Sequence, residues 1–187
     1  MISSDLIASA RKKDKKSLRI LFEACYSFMK NISVRYSKNE AQSVELLNAG
    51  FYSIVNSLNQ YDESLIDFQK WISNQFIQNC ISFLKKNEKE YYVTTTAKPN
   101  DPDWEKSNLL SKIFLEDFNS IPDQLLIESI QEIPPSFRAI FNLHLIDGFS
   151  LEEASLMMEI NIETCKRNLE RGRTAFEKNI RSKVILQ

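Results

Sequence analysis

The chain is predicted to be all-α, two small helical domains joined by an extended linker. Three observations point there. Apolar residues recur at helical spacing along most of its 187 residues. Only three glycines and five prolines are present, against about twenty-two of the two together at average usage. A Ser-x-x-Glu helix-start signature stands at Ser150–Glu153.

A short helix is expected near Ser4–Lys13. Leu18, Leu21, Phe22, Cys25, Met29, Ile32 and Tyr36 then follow the i, i+3, i+4, i+7 pattern of one buried face. Val44, Leu47, Phe51, Ile54, Val55 and Leu58 repeat it, and Phe68, Trp71, Ile72, Phe76, Cys80, Phe83 and Leu84 form a wider third stripe. Residues 1–88 thus read as one bundle. Between Glu88 and Asp103 the pattern collapses into a β-branched run, Tyr91 to Thr96, followed by Pro99 and Pro102. Residues 89–121 read as the linker, with a return to helix near Trp104–Phe118.

The second domain is expected over 122–187. Asp123–Glu132 is a short helix, and Pro135 suits the first position of the next, which runs over Phe137–Ile146 and ends at Asp147-Gly148. Ser150 caps a helix from Leu151 to about Met158. Glu159-Ile160-Asn161 is a tight turn in which a positive φ would strain Glu159, and Asn161 caps a longer helix from Ile162. An eight-residue helix, a three-residue turn and a longer basic helix have the dimensions of a helix-turn-helix. Placed in a major groove, Asn161, Thr164, Lys166, Arg167 and Asn168 stand near bases and phosphates, and Arg171 and Arg173 reach the backbone. The competing reading is a helical hairpin with a solvated basic face.

Composition removes other classes. Glycines at 50, 148 and 172 are too far apart for a phosphate-binding loop. One histidine, His144, cannot build a multi-histidine metal site or a histidine relay. The three cysteines, Cys25, Cys80 and Cys165, sit singly in apolar stripes and read as buried thiols of a reducing, cytoplasmic compartment. Neither a cofactor nor a metal is expected, and no enzyme. No apolar run has the length of a membrane span, so no membrane partner is expected.

Net charge is −1, but it is unevenly placed. Residues 1–90 carry 13 basic and 10 acidic side chains, and 91–121 carry 3 and 5. Residues 122–187 carry 8 and 10, yet within 164–183 seven cations face only Glu170 and Glu177.

Residues 133–176, from Ile-Pro-Pro-Ser-Phe-Arg-Ala-Ile-Phe-Asn-Leu through Asp-Gly-Phe-Ser to Thr-Cys-Lys-Arg-Asn-Leu-Glu-Arg-Gly-Arg, resemble region four of extracytoplasmic-function (ECF) sigma factors. Arg35-Tyr36-Ser37, Glu45 to Phe51, Phe68-x-x-Trp71-Ile72 and Phe83 to Lys86 are similar to region two of the same family. The resemblance implies a dissociable, non-enzymatic initiation subunit of bacterial RNA polymerase. Its region two would dock on the clamp of the largest subunit and open the promoter, and its region four would sit on the flap of the second-largest subunit.

By that resemblance, Glu45, Leu46, Asn48 and Phe51 meet polymerase, while Trp71, Gln78, Asn79, Lys85 and Lys86 meet promoter DNA. Trp71 reads equally as a base-stacking platform or a core residue, and Lys85 and Lys86 as DNA contacts or as partners of their helix dipole. Ala49 stands where the family has an acid, Ser73 and Asn74 replace arginines, and Gly172 replaces an alanine. Fewer cations imply weaker autonomous DNA binding, and so a DNA-targeting helper protein; an anti-sigma factor is a further implied partner. The alternative function is a sigma-like adapter that binds a regulator without supporting initiation.

Overall fold

The computed structural model describes residues 2–87 and 121–185. The expected linker, 89–121, and the helix expected near Trp104–Phe118 therefore lie outside the described residues, apart from Ile121. The chain divides into two compact units, Met1–Phe83 and Leu84–Gln187. The described residues are helical, with no strand among them.

The first unit opens with α1 (Ser4–Arg11), α2 (Lys15–Tyr36) and α3 (Glu40–Ser57), then a 3₁₀ turn (Leu58–Gln60) and α4 (Phe68–Asn87), whose last turn from Leu84 on falls in the second unit. Each start carries a short polar side chain that accepts from an orphan backbone N–H: Ser3 from Leu6, Asp14 from Ser17, Asn39 from Gln42 and Asp67 from Lys70. The Ser17 backbone N–H and hydroxyl both donate to Asp14, which holds its carboxyl below the usual carboxylate range.

The α2 stripe is buried as its spacing predicts, from Leu21 through Cys25, Met29 and Ile32 to Tyr36. In α3 the seam lies slightly off the predicted one. Val44 is 44 % exposed, and Ser43, Leu46 and Gly50 join the expected Leu47 and Ile54 in the interior. The reason is a buried contact between the hydroxyls of Ser33 and Ser43 (2.8 Å), two small residues that let α2 and α3 approach closely. Gly50 continues that logic, since a Cβ there would overlap the ring of Phe76 on α4.

Arg11 belongs to this framework. Its guanidinium donates to the carbonyls of Leu58 (3.0 Å) and Tyr61, closing the corner after α3. The rest of the basic run at Lys12, Lys13, Lys15 and Lys16 is exposed at the α1–α2 turn, where Lys13 takes φ 60°.

In the second unit, α5 (Asp123–Gln131), α6 (Pro135–Phe141), α7 (Leu151–Met158) and α8 (Ile162–Ile185) surround Ile130, Ile133, Phe141 and Phe176. Arg138 is buried and donates to the carbonyls of Gln131 (2.6 Å) and Ile133 (3.1 Å), fixing the α5–α6 turn. The helix expected over Phe137–Ile146 is there but changes pitch. From Asn142 to Ile146 it widens to π geometry, with the N–H of Asp147 donating to Asn142 (2.8 Å). His144 Nδ1 then donates to the carbonyl of Phe149 (2.8 Å), so this histidine shapes the approach to α7. α8 lies against α6 closely enough that a Cβ on Gly172 would come 2.9 Å from the carbonyl oxygen of Phe137.

Candidate nucleic-acid interface

The local signals of the α7–α8 pair are realised in full. The Ser150 hydroxyl accepts from the N–H of Glu153 (3.1 Å), and the Glu153 carboxylate accepts from the N–H of Ser150 (2.8 Å). At the other end of α7, Glu159 adopts φ 56° and ψ 41°, the left-handed conformation in which only glycine is free of Cβ strain. Asn161 accepts from the N–H of Thr164 (2.8 Å) and so caps α8. Cys165 seals the pair from inside, its thiol lying 3.8 Å from the carbonyl of Leu151. Burial pushes the thiols of Cys25 and Cys165 up to about 11, which keeps both neutral and unreactive.

The structure redistributes the residues expected to touch DNA. Asn168 is 2 % exposed and Thr164 8 % exposed, so neither side chain reaches a groove as expected. Both stand on the side of α8 that carries Cys165, Leu169 and Gly172 into the core. Thr164 acts on the surface at second hand, since its hydroxyl accepts from the Arg167 guanidinium (3.1 Å) and steadies that side chain. The Asn161 side chain is engaged by its cap. Lys166 and Arg167 remain exposed in the first turns, and Arg171 and Arg173 are half-exposed further along. The Arg171 guanidinium lies over the ring of Phe137 (5.7 Å to its centroid).

The spacing did not reveal how the cations are accompanied. Lys166 Nζ lies 3.1 Å from Glu163, and Arg173 3.3 Å from Glu170, both i,i+3 pairs on the exposed side of the helix. The signal was in the sequence, because each glutamate stands three residues before its cation.

In the first unit the sites divide in the same way. Glu45 and Asn48 are exposed on α3, and Tyr52, 71 % exposed and one turn beyond Asn48, extends their row. Leu46 is 2 % exposed, a core residue and not the docking residue expected. Phe51 is half-buried, edge-on to Phe22 with ring centroids 4.9 Å apart. Trp71 takes the core alternative: it is 7 % exposed beside Tyr61 (5.4 Å) and Phe68 (6.1 Å). Asn79 donates to the carbonyl of Gln75 (2.7 Å) and Gln78 is exposed, while Lys85 and Lys86, in the last turn of α4, already belong to the second unit.

Among the described residues no three His, Cys, Asp or Glu side chains gather where they could hold a metal ion. No described helix is long and apolar enough to cross a membrane.

Comparison with known proteins bears on the second unit. Residues 123–176 match the family model for Sigma-70, region 4, a span that runs from the first residue of α5 to the middle of α8. No curated protein matches the chain. The match covers the helix-turn-helix and the helices that support it. Residues 123–176 thus match sigma-70 region 4, and α7–α8 is the helix-turn-helix inside the matched span.

Proposed function

We propose that this protein is an alternative, ECF-type sigma factor that directs bacterial core RNA polymerase to promoters in the cytoplasm. The observation that carries the reading is the α7–α8 pair: a fully capped helix-turn-helix, inside a region 4 match, with Lys166 and Arg167 exposed at the start of its second helix. The exposed row Glu45, Asn48 and Tyr52 supports a docking role for α3 against the clamp of the largest polymerase subunit. Region 4 would meet the flap of the second-largest subunit.

Dependence on a DNA-targeting helper protein is supported by charge. Two cations of α8 already have carboxylate partners, so fewer counterions are displaced on DNA than the seven cations of 164–183 suggest. An anti-sigma factor would compete for the same polymerase-facing surfaces.

Run-off transcription with purified core polymerase and duplex promoter libraries tests this. Initiation that requires the chain is the expected result, and specific initiation without any helper would remove the dependent version. Failure of the chain to bind core polymerase in a pull-down would favour the adapter alternative over both. Arg167→Ala with Arg173→Ala should weaken promoter retention about tenfold and leave polymerase binding unchanged. Glu45→Lys with Asn48→Ala should do the reverse. The same phenotype from both pairs would refute a division into two surfaces.

A further inference from the structure

The two ion pairs of α8 bear on which base pairs the helix accepts, an inference that rests on the sigma reading above. Thr164, Cys165, Asn168, Leu169 and Gly172 turn one side of the helix into the domain core. Glu163 and Glu170 lie on the other side, seven residues and so two turns apart. Their side chains are 75 % and 32 % exposed. A helix lying in a major groove with its buried side toward the domain turns these two glutamates toward the base edges. The cations beside them fall toward the phosphate walls.

A bare carboxylate would be repelled by the phosphates. These are not bare: Lys166 at 3.1 Å and Arg173 at 3.3 Å each offset one negative charge. An ionised carboxylate offers about four lone-pair positions, so the one used by the cation leaves the others able to accept. On the groove floor only cytosine N4 and adenine N6 donate, whereas guanine O6 and N7 and thymine O4 accept and would repel a carboxylate.

We propose that Glu163 and Glu170, each held by a cation three residues on, are specificity-determining residues that favour base pairs presenting an amino group. Two turns of helix rise about 10 Å, which places the two preferences about three base-pair steps apart. Cytosine is preferred most, because its major-groove edge offers a donor without the N7 acceptor that adenine places beside its amino group.

The test uses the full chain with core RNA polymerase and a duplex library randomised across the upstream promoter element. Retained duplexes and their transcripts are sequenced for the wild-type chain, Glu163→Gln and Glu170→Gln. Expected is a roughly five- to tenfold enrichment of cytosine, or of adenine second to it, at two positions about three steps apart. Glu163→Gln should relax one position and leave the other, and Glu170→Gln the converse, because a glutamine amide can meet donors and acceptors alike. Unchanged base preferences, with retention of all duplexes raised uniformly, would overturn the proposal and leave the carboxylates as simple repellents. Retained duplexes with no base preference at any position of the element would overturn both this inference and the DNA-reading role.

Discussion

The two units present different surfaces but pack α3 and α8 through the same kind of short polar residue. On α3 the residues facing out, Glu45, Asn48 and Tyr52, have no part in the seam formed by Ser43, Leu46, Leu47, Gly50 and Ile54. Polarity misleads there at Gln42 and Ser43, which are buried, and at Val44, which is exposed. On α8 it misleads as well: Thr164 and Asn168 are polar and buried, while the exposed side mixes cations with glutamates. A surface cannot be read from polarity when a helix packs through short polar residues: hydrogen bonds offset the burial of Ser43 and Thr164, whereas the Asn168 amide nitrogen is buried without one.

The supports of the two corners differ as well, and this difference can be broken experimentally. Arg11 reaches its two carbonyls from a surface helix, whereas Arg138 does so from inside the core. Arg138→Ala should therefore cost the second unit about 3 kcal/mol or more, since it removes two charge-assisted hydrogen bonds and leaves their carbonyls buried. Urea unfolding of the full chain, followed by probes in each unit, should show the loss in the second unit alone. Arg11→Ala should cost roughly half as much, and in the first unit.

Close helix contacts give the next effect. Gly50→Ala and Gly172→Ala should each destabilise their own unit by about 1–3 kcal/mol, in spite of alanine's better helix propensity. Gly172→Ala should be the worse tolerated. Its Cβ meets a backbone carbonyl that cannot swing aside, whereas the obstacle at Gly50 is a phenyl ring. Equal thermal shifts would mean that α6 moves as easily as a side chain.

Ser150→Ala removes one half of the capping box and should lower stability by about 1 kcal/mol. The smallest change runs the other way. Glu159→Gly relieves a left-handed backbone and should stabilise by about 0.5–1 kcal/mol, read as a higher urea midpoint. A decrease would mean that the Glu159 side chain contributes more than its backbone strain costs.

Much of this was legible beforehand wherever the cause is local. The boundaries Leu151–Met158 follow from Ser150 and Glu153, the strain at Glu159 from the three-residue turn, and the start at Pro135 from proline's fixed φ. Less legible were Val44, which is exposed although it is apolar, and the π turn at Asn142. Trp71 was open between two readings, because its spacing suits an aromatic cluster and a stacking platform equally.

Sequence alone determined the helical class, the caps at Ser150 and Asn161 and the helix-turn-helix dimensions, because each depends on groups within about four residues of one another. Only the tertiary structure decided which side of each helix is available. Ser43 draws α3 onto Ser33, Gly172 lets α8 settle on α6, and rotations of a few tens of degrees then carry Leu46, Thr164 and Asn168 inward. A side chain's reach toward DNA or a partner is set by that rotation, which depends on the helix it packs against as much as on its own sequence.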